Sequence, residues 1–145
     1  MIDVKLKYLS NKISRPEYAT RGSIGMDLAS ANDGPKVVKP GERVIIPVGI
    51  AVQIPKGYGG FVFARSGLSV KKGLTLCNGV GVIDNDYTGE IKLAMVNISD
   101  SDYTVNPGDR IAQLVFLPVE IANLVIVDEL TQTQRGDKGF GSTGK

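Results

Sequence analysis

The residues able to do chemistry gather in four short segments of a 145-residue chain. The densest is CNGVGVIDNDYTGEIK at 77–92, where Asp84 and Asp86 stand two apart. In an extended segment they point to opposite faces, so they do not form a paired acid and base. One can face a cleft while the other caps the turn DNDYTG; that same turn also reads as a plain hairpin loop. ARSGLS at 64–69 puts Arg65, the Ser66 hydroxyl and Gly67 together at what reads as a helix start. A guanidinium beside free amides suits phosphate, although Arg65 taken alone is as well explained as a surface cation. GSIGMDLAS at 22–30 sets Asp27 between Met26 and Leu28, either an acid serving a site or a turn residue bonding its own backbone. Finally, RGDKGFGSTGK at 135–145 joins Arg135, several glycines, Phe140 and a Ser-Thr pair. That composition suits a flap over a phosphorylated, ring-containing ligand, and it equally suits a mobile chain end. It is not a Walker loop, because the glycine spacing and the Lys-Ser/Thr step are wrong.

The absent residues narrow the chemistry further. With no His, one Cys and no Trp, a Ser/His/Asp triad, a Cys/His dyad, a His-ligated zinc and a Cys cluster are all excluded. Hydrolysis would have to run on carboxylates, hydroxyls, Arg or Lys, backbone amides, or a cation carried in by the substrate. Cys77 has no partner in its own chain, so nothing argues for an oxidising compartment. Seventeen Lys plus Arg against fifteen Asp plus Glu give a net charge of +2, too small a surplus to mark a nucleic-acid or membrane binder. The start, MIDVKLKYLS, lacks the apolar stretch of a signal peptide. The expectation is a cytoplasmic protein.

The elements that must hold these segments read as strands. Gly and Pro recur along the whole chain, and between them lie short stretches of period-2 character. Val4, Leu6 and Tyr8 alternate with Lys5 and Lys7; Ile91 and Leu93 alternate with Glu90 and Lys92. Val52 and Ile54, then Phe61 and Phe63, flank PKGYGG at 55–60, which reads as a hairpin turn. Similar runs at RVIIPV, VGV, DRIAQLVF and NLVIV bring the expected total to about nine to eleven strands, the spacing of an all-β sandwich or barrel. One short helix is expected at SGLSVKKG, with Ser66 as N-cap and Gly73 closing it, and a single turn near RPEYA. Residues 111–127 are too interrupted by polar residues and Pro118 for a membrane span. The domain is expected to cover residues 1–131, with residues 132–145 as a flexible Gly-rich tail.

Taken together and in order, five motifs resemble those of the trimeric dUTP pyrophosphatase (dUTPase) family: GMDLAS, ARSGLS, GVIDNDYTGEI, GDRIAQLVF and RGDKGFGSTG. The resemblance implies a distorted β jelly roll of the β-clip kind, assembled as a homotrimer, that hydrolyses dUTP to dUMP and pyrophosphate in sites shared between subunits. It implies that Asp84 orients and deprotonates the attacking water, and that Asn78 with the backbone of Val82, Ile83 and Asp84 lines a uracil pocket. Tyr87 would pack beneath the deoxyribose, and Lys92 would lie close to the nucleotide. Arg65, Ser66, Gly67 and Gln113 would hold phosphate oxygens from a second subunit. Arg135, Phe140, Gly141 and Ser142 would arrive on a third subunit's tail, Phe140 over the uracil and the others on the γ-phosphate. Magnesium would come bound mainly to the triphosphate, with Asp27 acting on it through water or supporting the site.

This chemistry is self-consistent. Phosphate hydrolysis needs an aligned water, a base and positive charge on the phosphoryl oxygens, and a substrate-borne cation supplies part of the last. An amide such as Asn78 can match the uracil edge while leaving cytosine with unpaired buried groups. Ser30 replaces the usual Ala of the first motif, and Lys138 stands where a smaller residue is common; neither touches the named contacts. Two other readings share the pattern less well: a dCTP deaminase, also in bifunctional form, which would need Glu90 as a proton shuttle, and a non-catalytic jelly-roll nucleotide-binding module.

Overall fold

The computed structural model describes residues 1–11, 13 and 15–139, so Phe140, Gly141 and Ser142 lie outside the described residues. Among them run β1 (Lys5–Tyr8), β2 (Met26–Ala29), β3 (Lys36–Val38), β4 (Arg43–Gln53), β5 (Tyr58–Ala64), α1 (Ser66–Lys72), β6 (Leu74–Leu76), β7 (Gly81–Ile83), β8 (Glu90–Asn97), β9 (Tyr103–Val105) and β10 (Arg110–Pro118). The strands form two four-stranded sheets, β1-β4-β8-β6 and β2-β10-β5-β7, and a β3-β9 ribbon. No two consecutive strands are neighbours; each connection passes to a different sheet. That connectivity makes a distorted all-β jelly roll, with one short helix and no helix long and apolar enough to cross a membrane among the described residues.

Side-chain alternation decides which face of each strand enters the core. β8 buries Ile91, Leu93 and Met95 and turns Lys92 to solvent, and β4 buries Val44 and Ile46 before an irregularity between Pro47 and Ala51, and Val48 within it. These meet Leu28, Leu74, Ile111 and Leu114 in one apolar cluster between the sheets, as the period of 2 requires. Asn97 is fully buried at the end of β8. Its amide nitrogen donates to Val38 O at 2.9 Å and Ser101 O at 2.8 Å, while its oxygen accepts from Ser99 N and Ser99 Oγ. A single polar side chain thereby ties β3, β8 and the following loop.

The structure corrects several local expectations. The turns at 55–60 and 84–89 are not hairpins: β4 and β5, like β7 and β8, lie in different sheets. Turn residues fix a reversal of direction but do not choose which edge receives the next strand, and here Val62, Gly59 and Gly60 of β5 are buried against β7 and β10 instead. Residues 123–127 have no ladder partner among the described residues and are exposed, as is every described residue from 120 onward. β1 pairs with β4 yet all four of its residues are exposed. The RPEYA turn is not helical. In α1 the N-cap is Arg65, one residue before the expected Ser66. Gly73 closes it as expected, at φ 71, donating to Ser69 O; a Cβ there would also stand 2.7 Å from Ser99 N, so both conformation and space demand glycine.

Candidate active site

Six of the residues singled out by sequence come together where β7 ends and β8 begins. Asn78, Val82, Ile83, Asp84, Tyr87 and Lys92 line one cavity of about 250 Å³, floored by Val62, Leu76, Ile91 and Leu93. This is below the roughly 300–1,000 Å³ of sites for drug-sized ligands, room for a single ring. Local backbone devices set each wall. Val80 N–H donates to Asn78 O at 2.8 Å, a three-residue turn with Gly79 at φ 73 that holds Asn78 at the rim. Gly81 lets β7 lie against β5, since a Cβ there would be 3.1 Å from Val62 Cβ. Residues 84–87 form a turn closed by Tyr87 N–H on Asp84 O at 3.2 Å, which keeps Asp84 on the cavity and leaves Asp86 outside its lining.

Tyr87 is fixed twice. Its hydroxyl donates to Glu90 O at 2.8 Å, and its ring lies so close over Gly89 that a Cβ on that glycine would meet the hydroxyl oxygen at 2.7 Å. Glu90 itself turns away: its carboxylate accepts Gly49 N–H at 3.1 Å and is not part of the cavity lining.

A second cavity, about 760 Å³ and more open, gathers Asp27, Arg65, Ser66, Gly67 and Gln113. It shares no lining residue with the first. Asp27 on β2 stands directly opposite Gln113 on β10. Gln113 Nε2 donates to Ala64 O at 3.0 Å, and its Oε1 fits against Gly25, where a Cβ would approach to 2.5 Å; the first glycine of GMDLAS is thus the space that the Gln113 amide occupies. Arg65 Nε meets Asp27 Oδ1 at 2.9 Å, and Arg110 Nη1 meets Asp27 Oδ2 at 2.9 Å. Three cations, Arg65, Lys72 and Arg110, face one carboxylate here, a surplus that suits an anion. Arg135 lines neither cavity; its Nε donates to Lys138 O at 3.1 Å within the exposed tail.

A dUTPase family model matches residues 11–144. The chain belongs to the dUTPase family. Among its relatives, the deoxyuridine 5'-triphosphate nucleotidohydrolase of Desulfitobacterium hafniense is 51% identical over 146 residues, covering 99% of this chain and 97% of that one. The enzyme of the same name from Syntrophotalea carbinolica is 50% identical over 143 residues, again covering 99% and 97%. Among solved structures, the dUTPase of Staphylococcus bacteriophage 80alpha with dUPNHPP matches all of both chains with a TM-score of 0.92 at 31% identity. A mutant dUTPase of phage phi11 of S. aureus, described for its coordination of a structural Mg(II) ion, matches with a TM-score of 0.82 at 27% identity, covering 90% of this chain and 100% of that one.

Within the dUTPase frame, three residues of the second cavity escape the motif reading. Arg110 lies inside GDRIAQLVF, from which Gln113 alone was expected in the site. Lys72 and Tyr103 belong to none of the five motifs, yet both line the cavity. Burial raises the Tyr103 hydroxyl above its ordinary pKa of 10.0, helped by Asp109 and opposed by Arg65, so at neutral pH it stays a neutral hydroxyl. The signal for Tyr103 was available only as one apolar position of a short strand. Ser30, which closes the first motif, is fully buried and its Oγ accepts Asn32 N–H at 3.3 Å.

Proposed function

We propose that this protein hydrolyses dUTP to dUMP and pyrophosphate, keeping uracil out of DNA and supplying dUMP for thymidylate synthesis. One observation carries the reading: Asn78, Val82, Ile83, Asp84, Tyr87 and Lys92 line a single ring-sized cavity with Asp84 at its edge. Uracil enters between Asn78 and the β7 backbone, whose donors and acceptors match its edge, and the deoxyribose rests on Tyr87. Asp84 holds a water and takes its proton as the oxygen attacks the α-phosphorus, while pyrophosphate departs toward Arg65, Ser66, Gly67 and Gln113. Arg135, with Phe140, Gly141 and Ser142 beyond the described residues, closes over the nucleotide.

Magnesium fits this arrangement as a substrate-borne ion. Among the described residues no cluster of three or more His, Cys, Asp or Glu could hold a metal. Asp27, the one carboxylate of the second cavity, has both oxygens on guanidinium groups, so it would meet the ion through water, as magnesium commonly allows. When bound, the ion neutralises charge on the phosphate oxygens.

The reading includes a cytoplasmic homotrimer with shared sites, and no nucleic-acid or membrane partner. Two features support the sharing. The base-sized cavity and the cationic cavity share no lining residue, as expected where different chains supply the two halves of a site. The arm after β10 leaves Ile121, Leu124, Val125, Ile126 and Leu130 between 73% and 98% exposed, apolar surface of a kind that is covered in an assembly.

Incubating the pure protein with magnesium and dUTP, dCTP or dTTP tests the function: dUMP and pyrophosphate from dUTP alone support it. Ammonia from dCTP would mark a deaminase, and binding without turnover a non-catalytic module. Gly89→Ala offers a finer check. The added methyl must push the Tyr87 ring off its seat, so the ratio of UTP to dUTP hydrolysis rises about tenfold. Pyrophosphate release on the two substrates reads it, and an unchanged ratio would separate Tyr87 from sugar selection.

A further inference from the structure

Arg110 has no role of its own in the proposed chemistry beyond its positive charge, although its exposed side chain reaches into the cationic cavity. Its Nη1 donates to Asp27 Oδ2 at 2.9 Å. Asp27 Oδ1 meets Arg65 Nε at 2.9 Å, and Arg65 Nη1 donates back to Arg110 O at 2.7 Å. Three residues, from β2, the N-cap of α1 and the start of β10, therefore close a ring in which each touches the other two.

The ring depends on an irregularity in the sheet. Gln113 stands opposite Asp27, and simple alternation would put Arg110 on the other face of β10. The register shifts between Arg110 and Ala112, so that Arg110 pairs with Ala29 while Ala112 pairs with Leu28. That one extra residue turns Arg110 onto the face of Asp27 and Gln113, and leaves Ile111 and Ala112 both buried. Bulges next to active sites re-aim side chains in this way.

The consequence falls on Arg65. A guanidinium has five N–H donors; the ring engages Arg65 through Nε and Nη1, leaving the Nη2 edge for an anion. Asp27 held through one oxygen could rotate and carry Arg65 with it, whereas Arg110 pins the second oxygen. We propose that Arg110 is a positioning residue for phosphate binding: through Asp27 and through its own carbonyl it sets Arg65 in the one orientation that presents its free edge to the triphosphate. This rests on the dUTP reading above.

The test measures pyrophosphate release from dUTP across a substrate range for the wild type, Arg110→Ala, Arg110→Lys, Arg65→Ala and the Arg65→Ala/Arg110→Ala pair, with a melting temperature for each. Arg110→Ala should raise KM about 10- to 100-fold with a smaller change in kcat, as misplacement of a clamp does. Lysine should recover part of the loss, because it pairs Asp27 without the planar fork. In the Arg65→Ala background the second substitution should change KM less than about threefold, since its route of action is gone. Multiplicative effects in the double variant, or an unchanged KM in Arg110→Ala at an unchanged melting temperature, would overturn the proposal while leaving dUTP hydrolysis standing. A wild type that releases no pyrophosphate would instead refute the dUTP reading, and this assignment with it.

Discussion

Asp84→Asn should lower kcat for dUTP by about 10²- to 10⁴-fold, the span that a positioned general base supplies, while KM stays near its original value. The amide keeps the shape and a hydrogen-bonding oxygen but cannot take the proton of the attacking water. The fold should be unaffected, because Asp84 is exposed and its turn is closed by main-chain atoms, Tyr87 N–H on Asp84 O. Single-turnover release of pyrophosphate from dUTP measures the loss. Full activity in the variant would remove Asp84 from the chemistry and leave the cavity as a binding site only.

The largest effect on stability is expected at Asn97. Its side chain is fully buried and makes four hydrogen bonds, to Val38 O, Ser101 O, Ser99 N and Ser99 Oγ. Asn97→Ala leaves a carbonyl on the fully buried Val38 without that donor, and water cannot readily replace it. At roughly 1–3 kcal/mol for each stranded buried group, the loss is about 3–4 kcal/mol. For a chain of this size that corresponds to a fall of about 10 °C in Tm. Thermal unfolding followed by circular dichroism checks it, and a shift of under about 3 °C would show that solvent or neighbouring groups satisfy those atoms. The active-site cavity shares no residue with this network, so kcat at low temperature should be retained.

Both residues illustrate what could be read from the chain. Asp84, Asn78, Tyr87 and Lys92 were legible because the segment 77–92 is continuous: its turns and strand ends deliver all four to one cavity, so spacing along the chain is nearly spacing in space. The all-β class was legible for the same reason, since alternation in β4 and β8 is a local property. Pairing was not. PKGYGG and DNDYTG carry good turn chemistry, yet each joins strands of different sheets, because partner choice depends on which faces the rest of the chain leaves to be buried. Arg110 was hidden by a single register shift in β10, which no alternating pattern announces. Asn97 was hidden as well: a polar residue at a strand end reads as a solvent-facing turn until its partners from β3 and the 99–101 loop are in place.

The separation of the two cavities shapes the remaining test. Asp84 belongs to one and Arg65 to the other, with β5 passing between them from Val62 to Ala64. If active sites form between protomers, a chain lacking Asp84 and a chain lacking Arg65 can each supply what the other has lost. Co-expressing Asp84→Asn and Arg65→Ala chains in equal amounts and assaying the mixed assemblies with dUTP is the most direct measurement. Random closed assembly should restore about a quarter of wild-type activity, because about a quarter of sites then combine an intact Asp84 with an intact Arg65. Mixed assemblies no more active than either parent would place both groups in sites built from a single chain, and would contradict the shared active site on which the mechanism stands.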